Sequence, residues 1–404
     1  MDNASFTEIL LWLSDQGLKG LEETDLLAGF CERCRERGLP IGRALLLIDT
    51  LHPEFEGRAF QWDGVNTEIS ALVEYGSSAE GDAQRNWEQS VFYHLLQSGE
   101  AEIRLPLAQD CPIDFNMLAS LKAQGHADFV AMVHRFTERG RVGAMDCFYS
   151  YWTTRDTEGF SHDHLDVLRM LMPTLALTIK AASCVRIIGT LAEVYLGQDA
   201  GEQVIAGRIG RGAVERIEAV IWSSDLYNYT SISERARPED IIPFLNDYAE
   251  IVITAIEDCG GSVLKLIGDG VLAIFTSQQR EAACTAALDA EQRLRAGLAT
   301  RNEQRAASGS PVTDVYLGLH IGEVFYGNIG SRSRLDFTVV GPAVNEATRI
   351  SALCRSVDRS VILSSEFVAA CPADRRDNLV SLGRFALKGV SKAKELFTLD
   401  RERP

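Results

Sequence analysis

Residues 263–275, VLKLIGDGVLAIF, contain the pattern from which the fold can be inferred. Two apolar runs flank a Gly-Asp-Gly turn, and this pattern predicts a β-hairpin because glycine supplies the positive φ that tight turns need. Gly268 and Gly270 are explained by the turn alone. Lys265 and Asp269 leave two interpretations open, since Asp269 is either a simple turn former or a functional carboxylate at the hairpin tip.

The sequence around the hairpin predicts strands and helices in the order β-α-β-β-α-β, with further short strands after them. This order is that of a ferredoxin-like split βαβ core, so an α+β fold of mixed α/β type is expected. Proline suits the first turn of a helix, which places one helix start near Pro238. The segments are the strand AVIWSSDL (219–226), the helix from Pro238, the hairpin, a helix over about 280–300, the strand pair VYLGLHIGEVFYGNIG (315–330), the strand LDFTVVG (335–341) and a helix over about 342–354.

Asp225 ends the first of these strands and is followed by the polar turn YNYTSIS. The first strand of a split βαβ sheet lies beside the hairpin, so Asp225 and Asp269 are expected to lie side by side. Two carboxylates this close repel each other unless one is protonated or a metal bridges them. Mg²⁺ prefers oxygen ligands and shares them with substrate phosphates, so the pair predicts a magnesium site. Taken one at a time, both residues are equally well explained as turn formers.

The whole chain has 404 residues, which suits two or three domains of ordinary size. Residues 1–160 alternate helical and strand-like patterns and predict one mixed α/β domain. Residues 161–213 predict a connecting helix, from His162 to about Leu196, and a glycine-rich linker. The apolar residues of that helix recur near a heptad spacing, which fits either packing on its own domain or a parallel connector formed by the same helix of two chains. Pro173 predicts either a kink in the helix or the limit of its first segment. Residues 214–404 contain the split βαβ pattern.

Charge and composition restrict the classes of partner. The formal net charge of -17 argues against binding of nucleic acid or anionic lipid by the surface as a whole. No apolar run reaches the roughly 18–20 residues that a membrane span requires, and the N-terminus lacks the basic start and cleavage site of a signal peptide, so a cytoplasmic protein without a membrane span is expected. Cys31 and Cys34 form a CxxC pair with no second pair or nearby histidine, which favours core thiols over a zinc site.

Five blocks, taken together and in order, resemble the catalytic domain of class III adenylate and guanylate cyclases over about residues 215–399. Any single block is also compatible with ordinary turns, strands and polar helix faces, whereas their joint order is specific. The blocks are SSDLYNYTSISE (223–234), KLIGDGVLAIF (265–275), GLHIGEVFYGNIG (318–330), DFTVVGPAVNEATRIS (336–351) and LKGV (387–390).

The resemblance implies a two-metal nucleotide site. In this family two aspartates hold two Mg²⁺ ions, and the matching positions are Asp225 and Asp269, with the Leu226 carbonyl as a further ligand and Mn²⁺ as an alternative metal. The backbone of the following turn is expected to cradle phosphates. The residues of that turn are Tyr227, Asn228, Tyr229 and Thr230.

The resemblance also implies how the nucleotide is read. Lys265 and Thr338 match the purine-reading pair in its adenine form. Guanylate cyclases of this family have a glutamate and a cysteine at these two positions, so the resemblance implies ATP as the substrate. Asn345 matches the residue that orients the ribose and Arg349 the one that stabilises the transition state. Lys388 matches a lysine that contacts the terminal phosphates. Arg359 lies near a further family arginine, but its register is ambiguous and no role is assigned to it.

The implied function is an adenylate cyclase that forms 3′,5′-cyclic AMP and pyrophosphate as a homodimer with two shared sites. Guanylate cyclase and a catalytically inactive cyclase-like binding module are the alternatives. The N-terminal segment around residues 145–179 resembles, more loosely, the end of a GAF-type sensory domain, which implies regulation by an unidentified small molecule or protein. The threonine at the purine position resembles that of bicarbonate-responsive cyclases.

Overall fold

A computed structural model describes residues 1–65, 71–78, 81–107, 115–390 and 392–400. The chain divides into two compact units, residues 1–191 and residues 192–404. The boundary falls within residues 161–213, the segment predicted to hold a connecting helix and a linker.

The first unit contains one antiparallel sheet. Its strands are β1 (Arg43–Asp49), β2 (Gly57–Asp63), β3 (Leu72–Tyr75), β4 (Glu102–Pro106), β5 (Asp128–Arg135) and β6 (Cys147–Thr154). Their spatial order is β3-β2-β1-β6-β5-β4. The predicted strands RALLLIDTL and GRAFQW are β1 and β2, which pair directly.

Helices cover both faces of this sheet. They are α1 (Asn3–Lys19), α2 (Glu23–Glu36), α3 (Gly81–Glu88), α4 (Val91–Ser98), α5 (Asn116–Ala123) and α6 (His162–Leu196). Side chains alternate along a strand, so β1 sends Leu46 and Ile48 into a core with α1, α2 and α6. Its other face sends Leu45 and Leu47 toward α4 and α5.

Helix α6 runs without interruption through Pro173. It is long and apolar enough to cross a membrane by length and composition, with a mean hydropathy of 1.5 in its most apolar part. The core helix of a folded domain meets the same criterion. Leu168, Leu171 and Leu175 are fully buried in the core of the first unit, and they lie on the face of the helix that packs on the sheet.

Cys31 and Cys34 are fully buried on helix α2 within the same core. Burial raises the pKa of both thiols well above the usual range. Within the described ranges, no group of three or more His, Cys, Asp or Glu side chains is arranged to hold a metal ion. The burial of both side chains among apolar neighbours makes the pair part of the hydrophobic core.

The second unit contains an eight-stranded sheet. Its strands are β7 (Val214–Leu226), β8 (Ser262–Ile267), β9 (Gly270–Phe275), β10 (Val315–Gly330), β11 (Leu335–Val340), β12 (Val361–Ser364), β13 (Leu379–Phe385) and β14 (Lys394–Leu399). The spatial order is β13-β14-β12-β10-β7-β9-β8, and β11 pairs with β10 outside this path. The four strands at one end of this order, β10-β7-β9-β8, have the split βαβ arrangement that the sequence predicted.

The helices of the second unit pack on both faces of that sheet. They are α7 (Gln198–Ile205), α8 (Tyr229–Arg235), α9 (Pro238–Glu257), α10 (Arg280–Ala307), α11 (Pro342–Val357), α12 (Ser365–Ala370) and α13 (Ala373–Arg376). Helix α9 begins at Pro238, as expected. Helices α9 and α10 share one core with the sheet, while α7, α11 and β11 contribute to a core on the opposite face.

The segment predicted as a glycine-rich linker contains helix α7. Its Ala200 is buried against strand β8 and the neighbouring strands. Gly197, between α6 and α7, lies so close to β8 that a methyl group at this position would be 2.4 Å from the Val263 carbonyl oxygen. This part of the predicted linker is thus packed onto the sheet of the second unit.

Candidate active site

Asp225 lies at the C-terminal end of β7, between β10 and β9. Its register partner on β10 is Tyr316. The preceding residue, Ser224, pairs with Val271 on β9, just beyond the hairpin turn. This pairing places the end of the first strand beside the tip of the hairpin, as the split βαβ pattern requires.

The hairpin turn has two residues, Gly268 and Asp269, because Ile267 pairs with Gly270. Gly268 has φ 64°, a left-handed conformation that glycine adopts without a steric penalty. A positive φ at the first central position alone is the pattern of a type II′ turn. Asp269 therefore needs no unusual backbone conformation at its position.

Gly270 is needed for a different reason. A methyl group at this position would lie 2.5 Å from the Ser224 carbonyl oxygen and 3.3 Å from Asp225 Oδ1. Real Cβ atoms do not approach backbone oxygens so closely, so any side chain here would push the hairpin away from β7. The second glycine of the turn thus permits the close approach of the two aspartates.

The two carboxylates form a close pair. Oδ2 of Asp269 accepts a hydrogen bond from the Leu226 backbone N–H at 3.2 Å, which ties the hairpin tip to the end of β7. The pKa of Asp225 is raised to about 6, mainly by partial burial and in addition by the hydrogen bond with Asp269 and the negative charge of that residue. The structure therefore confirms that Asp225 and Asp269 lie side by side, and like-charge repulsion is present between them.

The donor chemistry of this pair fits a hard divalent cation. Two carboxylates and the neighbouring Leu226 carbonyl offer oxygen atoms only, the ligand type that Mg²⁺ and Mn²⁺ take. A divalent cation between the carboxylates would also remove their mutual repulsion. Protein atoms supply few ligands here, which suits Mg²⁺ because this ion keeps several waters or substrate oxygens.

A cleft of about 680 Å³ opens at the acid pair. Six of the residues predicted to bind metal or phosphate line it, namely Asp225, Leu226, Asn228, Tyr229, Thr230 and Asp269. Tyr227 packs its ring against Tyr316, with ring centroids 5.3 Å apart. Most of the predicted metal and phosphate residues are therefore gathered in one place.

Arg355 of helix α11 also lines this cleft, although no sequence motif singles it out. Glu234 is a third carboxylate in the described lining, beside Asp225 and Asp269. Three carboxylates against one guanidinium leave the cleft negative. A triphosphate would be repelled from it unless additional cations were bound.

The predicted purine-reading residues lie at a second location, where β8 approaches β11. Lys265 Nζ donates to the carboxylate of Asp336, and the two form an ion pair. Asp336 lies two residues before Thr338 on β11 and was not singled out from the sequence. The Thr338 hydroxyl is buried and has no hydrogen-bond partner among the described residues.

The predicted ribose and phosphate residues lie on α11 and on the loop after β13. Asn345 is exposed on the first turns of α11, and Arg349 follows one turn later. The Arg349 guanidinium lies next to Gly389, with a terminal nitrogen 3.3 Å from the position of a methyl group there. Lys388 precedes Gly389 in the chain and is exposed, so it belongs to the loop that the Arg349 side chain contacts.

The predicted site residues thus fall into two groups, those at the acidic cleft and those outside it. The described lining of the acidic cleft includes none of Lys265, Thr338, Asn345, Arg349 or Lys388. The residues outside the cleft lie in two places, one where β8 approaches β11 and one on α11 with the loop after β13. Helix α11 contributes Thr348, Ser351 and Arg355 to the cleft lining instead.

Residues 214–400 match the family model for the adenylate and guanylate cyclase catalytic domain. This part of the chain is a cyclase catalytic domain. The resemblance inferred from the five sequence blocks is therefore confirmed. The family description covers both nucleotides, so it leaves the choice between ATP and GTP open.

Similar proteins include cyclases of both kinds. The cyclase domain is 36% identical over 163 residues to an adenylate cyclase of Anabaena cylindrica, a match to 40% of this chain and 32% of that protein. The chain spans about a third of the length of this relative. The crystal structure of the adenylyl cyclase CyaB from P. aeruginosa is 24% identical, with a TM-score of 0.42 over 46% of this chain and 95% of that chain. The guanylyl cyclase Cya2 is 27% identical, with a TM-score of 0.41 over 46% and 93%.

Proposed function

We propose that the chain is an adenylate cyclase, which converts ATP to 3′,5′-cyclic AMP and pyrophosphate at two sites shared between two copies. The separation of the predicted site residues into two groups carries this proposal. A two-fold dimer would bring the acidic cleft of one copy against the purine, ribose and arginine residues of the other. The loose GAF-type resemblance supports a regulatory role for the first unit.

The proposed roles follow from charge and position. Asp225, Asp269 and the Leu226 carbonyl would hold two Mg²⁺ ions, which when bound neutralise phosphate charge and lower the pKa of the ribose 3′-hydroxyl. The turn from Tyr227 to Thr230 would contact the phosphates from the same copy.

The second group would supply the remaining contacts from the partner copy. Lys265 would leave Asp336 or share it with the adenine, and the unpartnered Thr338 hydroxyl would gain a hydrogen bond to the base. Asn345 would orient the ribose. Arg349 would stabilise the negative charge that develops on the α-phosphate, and Lys388 would bind the terminal phosphates.

The proposed reaction is an in-line displacement. The ribose 3′-hydroxyl gives its proton to Asp225, to water or to a phosphate oxygen of the substrate, and its oxygen forms a bond to the α-phosphorus. The bond between that phosphorus and the bridging oxygen of pyrophosphate breaks, and pyrophosphate leaves. The enzyme contributes mainly alignment of the two oxygens and stabilisation of charge. Arg349 acts at the reacting phosphate, so it belongs to the catalytic machinery, whereas Lys265 and Thr338 determine which base is held.

The products formed by the purified 404-residue chain test the proposed activity and substrate. With ATP and Mg²⁺ we expect cyclic AMP and pyrophosphate, identified by mass, because Lys265 and Thr338 form the adenine-type pair. Parallel reactions with GTP, and with Mn²⁺ in place of Mg²⁺, serve as comparisons. A higher kcat/KM for GTP would make the protein a guanylate cyclase. No cyclic product with either nucleotide and either metal would favour an inactive binding module.

Substitution of Gly270 tests the geometry of the acid pair. We expect Gly270→Ala to lower the cyclase rate at least about tenfold, because the added methyl group meets the Ser224 carbonyl and displaces Asp269 from Asp225. Gly268→Ala is the matched control. Its methyl group has no atom within 4 Å, and its positive φ should lower stability by about 1 kcal/mol while leaving the acids in place. Equal rates for the two variants would contradict this explanation of Gly270.

A further inference from the structure

The sheet of the first unit has a cavity on the face covered by α3 and α4. Its volume is about 600 Å³, within the range of small-molecule binding sites. It lies away from the core formed with α1, α2 and α6, because its strand residues come from the other face of β1 and β6. No role in the cyclase reaction accounts for it.

The floor of the cavity is apolar and aromatic. Leu45 and Leu47 of β1 stand directly opposite Tyr151 and Tyr149 of β6 in the strand register. Trp87 of α3 packs edge-on against Tyr149, with ring centroids 5.7 Å apart. This arrangement offers several aromatic surfaces to the flat or apolar body of a small molecule.

One end of the cavity is acidic. Asp49 is on the same face of β1 as Leu45 and Leu47, and its Oδ1 accepts a hydrogen bond from the Tyr75 hydroxyl at 3.2 Å. Glu56 lines the cavity as well and accepts hydrogen bonds from the backbone and hydroxyl of Ser78. Among the described residues that line the cavity, there are these two carboxylates and no lysine, arginine or histidine.

We propose that this cavity binds a small organic cation, an amine attached to an aromatic or apolar body. The ammonium group would lie between Asp49 and Glu56, and the body would lie against Trp87, Tyr149 and Tyr151. Ionised carboxylates in a partly buried, aromatic site are unfavourable without a positive partner. An ammonium group supplies that partner and is also attracted by the faces of aromatic rings.

The inference names a ligand class for the regulatory role proposed above for the first unit. Binding is measured directly on the 404-residue chain and needs no cyclase activity. Absence of cyclic product would therefore refute the proposed reaction without affecting this inference, and absence of binding would refute this inference alone.

Three probes that share one apolar body test the proposal by isothermal titration calorimetry at pH 8. They are 3-phenylpropylamine, which carries a positive charge, 3-phenylpropanol, which is neutral, and 3-phenylpropanoate, which is negative. We expect the amine to bind with a Kd below 1 mM and at least tenfold more tightly than the alcohol. The carboxylate should bind most weakly of the three.

Two variants assign the binding to this cavity. Asp49→Asn should weaken binding of the amine at least tenfold and leave binding of the alcohol unchanged, because only the charge is removed. Glu56→Gln should also weaken binding of the amine and leave binding of the alcohol unchanged. Glu54→Gln, a nearby exposed carboxylate outside the cavity lining, is the matched control and should change neither.

The pH dependence provides a second measurement. Burial raises the pKa of Asp49 to about 7, and the charges of Asp146 and Glu56 add to this effect, while the Tyr75 hydrogen bond opposes it. Tyr149 also faces Asp49, and burial raises the pKa of both tyrosines, so they stay neutral at pH 8. Amine affinity should therefore increase between pH 6 and pH 8.

Thermal unfolding shows whether the Asp49 variant has kept its fold. The pKa of Asp49 is higher in the folded chain than in the unfolded chain, so the stability of the fold decreases as the pH rises from the ordinary pKa near 4 to about 7, and it stays at the lower level above that. Asp49→Asn should accordingly raise Tm relative to the wild type more at pH 8 than at pH 5. A purely structural carboxylate would give a lower Tm on substitution.

Three results would overturn the proposal. One is an amine Kd above 1 mM at pH 8, and another is equal affinity for the amine and the alcohol. The third is an amine-to-alcohol affinity ratio that is the same in Asp49→Asn as in the wild type. If Asp49→Asn did not fold, the amine-to-alcohol affinity ratio of Glu56→Gln would be compared with that of the wild type instead, and an equal ratio would overturn the proposal.

Discussion

Asp269→Asn should lower cyclic nucleotide formation by about 10³-fold or more. The substitution removes half of the negative charge that would hold the two Mg²⁺ ions. A rate decrease of about 10³-fold corresponds to the loss of several kcal/mol of charge stabilisation. Asparagine keeps an oxygen that can accept the Leu226 N–H, so the hairpin tip should stay beside β7. The measurement is the initial rate with ATP and Mg²⁺, together with Tm.

Asp258→Asn is the matched control for this prediction. Asp258 is an exposed carboxylate of the same unit, paired with Arg293 at 3.0 Å, and surface pairs of this kind contribute little to stability. Its rate should equal that of the wild type. If Asp269→Asn retained a rate within tenfold of the wild type in Mg²⁺, the metal role of the acid pair would be wrong.

Mixing two inactive variants should restore activity. In a dimer of Asp225→Asn with Arg349→Ala, one shared site carries both defects and the other carries neither. Random exchange makes about half of the dimers hybrids, each with one intact site of two, so activity should reach about a quarter of the wild-type value. The rate of the equimolar mixture is compared with the rate of each variant alone.

A second mixture distinguishes shared sites from other kinds of rescue. Asp225→Asn and Asp269→Asn alter the same acid pair, so each site of their hybrid keeps one defect and no rescue is expected. Subunit exchange is verified in both mixtures by co-purification of two differently tagged chains. If exchange occurred and the Asp225→Asn and Arg349→Ala mixture stayed inactive, the sites would not be shared as proposed.

The adjacency of Asp225 and Asp269 could be predicted from the sequence. The order of strands and helices defines a split βαβ sheet, and in that sheet the first strand must pair with the hairpin. The pairing of Ser224 with Val271 is the observed form of this rule. The position of each acid at a strand end then follows from the apolar runs beside it.

Other parts of the site could not be predicted, because they depend on contacts between distant segments. Gly270 was fully explained by the turn, and only the approach of β7 reveals why a side chain is excluded there. Lys265 pairs with Asp336, which is 71 residues away in the sequence. Arg355 reaches the acidic cleft through the packing of α11 on the sheet. None of these contacts leaves a local periodicity or spacing.

The first unit shows the same limitation. The pattern of strands and helices was predicted in outline, but a cavity is the space left between them, and its size depends on how α3 and α4 pack. Asp49 ends an apolar strand and could equally have faced solvent. Its place beside Tyr75 depends on the fold of a different strand.

The contact of Gly197 with β8 has a mechanical consequence. The chain leaves α6 at this residue and lies against the carbonyl group of Val263, two residues before Lys265. Because the two backbones are this close, a rotation or sliding of the helix end would displace the backbone of β8. Lys265 is on that strand, so the position of the residue proposed to contact the purine would change as well.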